Sequence, residues 1–302
     1  MKLLMPNFDD LSLIKTGDMP GDKVEINEKH IKNAGTIIEK LDAIGIKSKS
    51  LISVHGGSGV GKSETASILG HILNHNGLNT YILSGDNYPR RIPSKNDQER
   101  LRVFREFALK GLVKSGQYSK ENRDIIFDLM ENEDDLNEKN VSQYPFLEIY
   151  IEEGKKGLSK YLGTSSEIDF DEINAIIGDF KSGKKDIYLK RMGRSDHVLW
   201  YDKVDFSDID VLIVEWTHGN NKNLEGVDIP ILLNSTPEET LAHRLSRSRD
   251  GKVDSPFVSI VLELEQKKIF EQSHLAKIIV SKSGDYIPYE AYLELMGDKN
   301  EK

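Results

Sequence analysis

Gly56, Gly57, Ser58, Gly59, Val60, Gly61, Lys62 and Ser63 fit the spacing G-x-x-x-x-G-K-[ST], the P-loop pattern that binds phosphate. Glycines let successive backbone N–H groups turn inward onto phosphate oxygens, and a helix that starts there adds the positive end of its dipole. Lys62 brings a point charge to the terminal phosphates, and the Ser63 hydroxyl is a ligand for Mg²⁺. Gly57, Ser58, Gly59, Val60, Gly61, Lys62, Ser63 and Glu64 are therefore the expected nucleotide-binding set. The ligands they imply are ATP, or another nucleoside triphosphate, and Mg²⁺.

Two carboxylates extend this chemistry. Asp86 follows the apolar run Tyr81-Ile82-Leu83, where it can align an acceptor hydroxyl with the γ-phosphate and take its proton. Glu215 ends Val211-Leu212-Ile213-Val214 in the manner of a Walker B acid and is the second expected Mg²⁺ residue. Arg244, Arg247 and Arg249 stand at a helix end from which Arg can stabilise charge on the transferring group. Arg247 and Arg249 join Asp86 and Lys62 as expected catalytic residues. Two further basic clusters, one with Arg90 and Arg91 and one with Lys190, Arg191 and Arg194, suggest an anionic acceptor. The alternative for every one of these cations is a solvated helix face.

The chemistry needs a scaffold that brings these positions together. Residues 50–55, 79–84, 210–216, 229–233 and 276–280 are short apolar runs suited to buried strands. Amphipathic spacing predicts helices over 27–44, 64–74, 237–249 and 256–272. Strands alternating with helices predict an α/β fold, a parallel five-stranded sheet covered on both faces. Ligands in such sheets sit beyond the strand carboxyl ends, where Gly56, Asp86 and Glu215 all fall. Between the second strand and residue 186, helices at about 96–114, 121–138, 144–161 and 171–181 form a mostly helical insertion on the acceptor and lid side. Residues 187–190 and 197–201 read as a hairpin or two edge strands, and residues 1–48 as a lead-in with one helix. The whole, 1–302, is expected to be a single domain.

Composition narrows the partners. The net charge of −9 argues against a broad nucleic-acid surface. The absence of cysteine excludes disulfides and thiolate chemistry and suits a reducing compartment. No run is apolar enough for a signal peptide or a membrane span, so the expectation is a cytoplasmic protein with a small-molecule partner. A homo-oligomer is compatible with all of this.

The order of motifs resembles the uridine kinase and phosphoribulokinase group of P-loop kinases. It is carried by the P-loop, Ile82-Leu83-Ser84-Gly85-Asp86, Glu167-Ile168-Asp169-Phe170-Asp171, Tyr188, Val211 to Glu215, and Ile231-Leu232-Leu233-Asn234. The likeness covers roughly residues 50–282. It implies a kinase that phosphorylates a hydroxyl of a nucleoside, nucleotide or sugar-phosphate type of molecule. On this likeness Asp86 is the base, Lys62 and Ser63 serve phosphate and Mg²⁺, and Arg247 and Arg249 belong to a lid. Tyr88, Arg90, Arg91, Phe170, Lys190, Arg191 and Arg194 are then the expected acceptor-binding residues. The chain departs from the group in having Trp216 after Glu215 where glycine is usual, and Lys190-Arg191-Met192-Gly193-Arg194 where nucleoside kinases carry Asp and His-Ser-Arg. Leu83 to Asn87 with Arg90 is similar, locally, to adenylylsulfate kinases. The alternatives of another class are a P-loop hydrolase and a nucleotide-sensing protein. A GTPase is disfavoured because Asn221-Lys222-Asn223-Leu224 lacks the Asp that would read guanine.

Overall fold

A computed structural model describes residues 2–193, 195, 198–247 and 255–300, without the side chains at 243, 246, 247 and 298–300. Five strands form one parallel sheet: β1 (Ser50–Gly56), β2 (Thr80–Ser84), β5 (Val211–Glu215), β6 (Ile229–Leu233) and β7 (Ile278–Val280). Their order is β2-β5-β1-β6-β7, with β1 in the centre. Val54 lies level with Glu215, and Ser84 also lies level with Glu215 on the other side. The ends of β1, β2 and β5 therefore open onto one edge, as the motif positions require.

Every residue of β1, β5 and β6 is buried, which is why these strands read as continuous apolar runs rather than as alternation. On one face, Ile52, Val54, Val211, Ile213 and Ile231 pack under α1 (Glu28–Ile44) and α2 (Lys62–His75). On the other, Leu51, Leu83, Leu212 and Val214 pack under α6 (Phe170–Lys181) and the hairpin β3 (Asp186–Met192) and β4 (Leu199–Asp205). Of the two alternatives, a hairpin or two edge strands, the structure forms the antiparallel hairpin, which lies outside the main sheet. Leu232 and Ile279 meet α8 (Pro256–Glu271) and α9 (Tyr289–Asn300).

The insertion is helical as anticipated: α3 (Pro93–Ser115), α4 (Lys120–Glu131), α5 (Leu147–Tyr161) and then α6. Its first three helices build a core of their own around Phe104, Leu112, Ile126 and Tyr150. Ile260, Val261 and Leu264 of α8 join that core, so the insertion is seated on the helix that follows α7 (Pro237–Arg247). Gly154 and Gly157 of α5 are needed there. A Cβ on Gly154 would fall 2.5 Å from the Phe104 ring, and one on Gly157 would strike the Phe107 side chain. Two features lie outside the sequence expectations. α9 had not been anticipated, and the lead-in before α1 is folded against the open edge of β2 rather than trailing from the sheet.

Candidate active site

The P-loop runs from β1 into α2. Gly59 and Gly61 have φ of 76° and 95°, a region that only glycine enters cheaply. Space forbids a side chain as well. A Cβ at Gly59 would fall 2.9 Å from Arg244 Cγ, and one at Gly61 would fall 2.9 Å from His30 Nε2. α1 thus delivers His30 to the loop, and its start is fixed by a capping box between Asn27 and His30. Lys62 Nζ bends back to donate to the Gly57 carbonyl at 3.1 Å, the conformation of a lysine that embraces its own loop.

Beside the loop, Ser63 Oγ donates to Glu215 Oε2 at 3.2 Å and Ser84 Oγ donates to Glu215 Oε1 at 2.5 Å. Burial pushes the Glu215 carboxyl well above its usual range, and the nearby charge of Asp86 adds to the effect. A buried carboxylate next to a P-loop hydroxyl fits a divalent cation. Mg²⁺ takes one or two protein ligands and completes its octahedron with substrate phosphates and water. Among the described residues no group of three or more His, Asp or Glu is placed to hold a metal ion.

Asp86 sits in a single 3-10 turn, Gly85–Asn87, with its side chain exposed above the sheet edge. Gly85 is required by Trp216. A Cβ there would lie well inside van der Waals contact with the indole and 2.6 Å from Trp216 Cβ. Trp216 is itself buried against Phe170, with ring centroids 5.8 Å apart, and against His218 at 5.3 Å. The tryptophan after Glu215 therefore sets the height of the Asp86 turn.

The expected acceptor residues fare unevenly. Phe170 is in the core under Trp216, and Tyr88 is fully buried, its hydroxyl without a hydrogen-bond partner among the described residues. Each described cation of the set has an acidic partner: Arg90 with Asp169, Arg91 with Glu99 at 3.7 Å, Lys190 with Glu172 at 3.5 Å, and Arg191 with Asp18 and Asp202. Arg194 and Arg249 lie outside the described residues, as does the side chain of Arg247, the last residue of α7. The arginine that does reach the P-loop is Arg244, which donates to Pro237 O and Thr240 Oγ1.

Two groups escaped the sequence reading. The first is Asp18, a buried carboxylate from the lead-in that accepts from Ser84 N, Asn87 Nδ2, Tyr81 Oη and Arg191. The second joins the insertion to α8. Arg100 Nε donates to Glu167 at 2.6 Å, and Arg100 also pairs with Glu265 at 3.4 Å. Burial opposes the Arg100 charge, but Glu167 and Glu265 outweigh it and hold the guanidinium protonated. Burial raises Glu265, and the charges of Lys62 and Asp86 act on it too, so this network adjoins the reaction edge. Burial lowers His218, beside it, to about 4. Arg100 was visible only as one of a cluster of basic residues, and Asp18 carried no local signal.

No family model matches the chain. Among curated proteins it is 37% identical over 257 residues, 84% of its length, to the bifunctional alpha-galactosidase/sucrose kinase AgaSK of Mediterraneibacter gnavus. The chain spans 23% of that protein's length. Among solved structures, a putative fructose transport system kinase from Silicibacter sp. TM1040 matches at 13% identity and a TM-score of 0.45, over 81% of this chain and 95% of that one. A possible uridine kinase from Bacillus stearothermophilus matches at 12% and 0.39, over 82% and 97%. The chain has the five-stranded parallel architecture of a P-loop protein, and the curated protein it is similar to carries a kinase activity, as the motif order anticipates.

Proposed function

We propose that the protein transfers the γ-phosphate of Mg²⁺-ATP to a hydroxyl of a small sugar. The observation that carries this reading is the convergence of three elements on one sheet edge. They are the P-loop with Lys62, the Ser63–Glu215 pair, and Asp86 raised above that edge within electrostatic reach of Glu215. Of the two activities in the name of the similar protein, only the kinase uses a triphosphate, and this chain has the loop for one.

In this reading the P-loop amides and Lys62 hold the β- and γ-phosphates. A hollow at the ends of β6 and β7, lined by Lys29, Asn234, Ser281 and Ser283, takes the base end of the nucleotide. Ser63 and Glu215 would hold a Mg²⁺ ion, which would supply neutralisation of charge on the triphosphate. Asp86 aligns the acceptor hydroxyl, which attacks the γ-phosphorus as the bond to the ADP oxygen breaks. The hydroxyl proton passes to Asp86. Positioning and charge stabilisation supply most of the rate, as in phosphoryl transfer generally. Arg244, packed on Gly59, is the described arginine placed to answer charge on the transferring group; Arg247 and Arg249 remain candidates for the same lid.

The acceptor is taken to be neutral. An anionic acceptor would call on cations of the expected set, and among the described residues Arg90, Arg91, Lys190 and Arg191 already face acids. Two charge-assisted contacts would otherwise be worth about 3–6 kcal/mol. The sucrose named for the similar protein is a neutral polyhydroxyl of the right class.

The test is ADP release from Mg²⁺-ATP with sucrose, other neutral sugars, a sugar phosphate and a nucleoside as acceptors. Turnover should be slow until a neutral sugar is supplied. Asp86→Asn, which keeps the shape and loses the basicity, should lower acceptor-dependent turnover by about 10²–10⁴ with Mg²⁺-ATP affinity little changed. Hydrolysis that ignores every acceptor would refute the kinase reading.

A further inference from the structure

We propose that Asp18 is a positioning residue that clamps the Asp86 turn and ties it to the acceptor-side hairpin, making catalytic base and hairpin one mechanical unit. The inference rests on the kinase reading only for its consequence in turnover; the clamp itself stands on geometry.

β2 is the edge strand of the sheet, so the backbone N–H groups on its outer side have no strand to donate to. The lead-in answers that deficit at one point. Ser84 N donates to Asp18 Oδ1 at 2.7 Å, and the same oxygen accepts from Asn87 Nδ2 at 3.2 Å. Ser84 and Asn87 are the residues on either side of Gly85-Asp86, so one carboxylate oxygen spans the turn that carries the base. The other oxygen faces the hairpin. It accepts from Tyr81 Oη at 3.0 Å and from Arg191 at 2.9 Å, while Arg191 also donates to Tyr81 Oη and to Asp202. Asn87 closes the circuit, its Oδ1 accepting from Met192 N of β3 at 3.0 Å.

The arrangement is buried, with Asp18 and Arg191 side chains only 8% and 7% exposed. Hydrogen bonds and an ion pair shielded from water hold geometry far more firmly than their surface counterparts. Burial raises the Asp18 carboxyl, opposed by Arg191 and the donors from Ser84 and Tyr81. A neutral residue of the same shape would therefore leave Arg191 with Asp202 alone and give the Ser84 amide a weaker acceptor. Gly17, next in the chain, runs beside the same edge: a Cβ added there would lie 3.3 Å from Ile82 Cγ2 and 4.0 Å from Glu215 Oε1.

The test uses the full chain and Asp18→Asn. In amide hydrogen exchange, Ser84 and the hairpin strands 186–192 and 199–205 should exchange at least about tenfold faster than in the parent, with the P-loop and α2 unchanged. With Mg²⁺-ATP and sucrose, kcat should fall about 10- to 100-fold, on the scale of a misplacement near 1 Å, while KM for ATP stays within about twofold. Arg191→Gln added to Asp18→Asn should restore part of the stability but not the turnover. If Asp18→Asn does not fold, Tyr81→Phe, which removes one donor to the carboxylate, carries the same test at smaller amplitude. Exchange that quickens evenly across the sheet, or a folded variant with unchanged kcat, overturns the proposal. A parent protein inactive on every sugar would instead refute the sugar-acceptor reading and leave the exchange experiment to decide the clamp.

Discussion

Gly85→Ala tests whether Trp216 sets the position of the catalytic turn. No positive φ demands glycine at this position, so alanine is barred by space alone. The added carbon would overlap the indole at its root, with Trp216 Cβ at 2.6 Å, where rotation of the ring gives no relief. Ordinary contact requires the turn or the end of β5 to move by about 1 Å. Trp216 cannot retreat easily, being 2% exposed and wedged between Phe170 and His218. Overpacking of a tight core costs about 1–3 kcal/mol, a sizeable part of the stability of a domain. If the turn yields instead, a shift of about 1 Å at Asp86 lowers kcat by roughly 100-fold. Melting temperature and kcat, measured on one preparation, divide the penalty between these routes. The same substitution in a Trp216→Gly background should cost less than it does in the parent, because the partner in the clash is gone. An alanine variant with the parent's melting temperature and turnover would show that the contact does not position Asp86. So would an equal cost in both backgrounds.

Three more perturbations address the rest of the site. Arg100→Leu removes the cation between Glu167 and Glu265 and should destabilise the protein by about 3–5 kcal/mol at neutral pH. In the parent, burial opposes ionisation of Glu167, but Arg100 and His218 hold its pKa low. That stability is present above the unfolded pKa and fades as pH falls through the folded one. Without Arg100 the two acids share a proton at raised pKa, so the deficit should shrink between pH 7 and pH 5 in urea titrations; a deficit that grows toward acid contradicts the pairing. Lys62→Ala should weaken Mg²⁺-ATP binding in calorimetry while the melting temperature stays within a few degrees, and undiminished affinity would remove the P-loop lysine from the site. Asn27→Ala breaks the capping box of α1 and should cost about 1 kcal/mol by denaturation, with kcat per folded molecule unchanged.

What could be read in the sequence follows the range of the interactions. β1, β5 and β6 are buried on both faces, so their apolar runs were unambiguous, and the P-loop is a local motif whose spacing carries its own geometry. The hairpin was legible because its two runs sit close in the chain. α9 was not read because its apolar residues do not mark one face: Tyr292 and Met296 are buried, whereas Leu293 and Leu295 beside them are exposed. The basic clusters were read as anion seekers because sequence displays charges but not partners. Arg191 looks the same in sequence whether it awaits a phosphate or faces Asp18, 173 positions away.

That separation explains why the lead-in mattered more than its composition suggested. A P-loop fold solves the phosphate half of the problem with residues that are neighbours in sequence, from Gly56 to Ser63. On the proposed reading the acceptor half has no such local solution, since the proposed base lies in the turn after β2, the hairpin follows the insertion, and Arg100, Glu167 and Glu265 come from separate stretches of the chain. Besides the packing of Trp216 on Gly85, buried polar contacts hold these distant parts in register. Each such contact must be satisfied, because an unpaired charge away from water costs several kcal/mol. Asp18 with Arg191, and Arg100 with its two glutamates, are the paired solutions found here. On the proposed reading, Arg191 and Arg100 are committed to holding these parts together and are not available to recognise an anion.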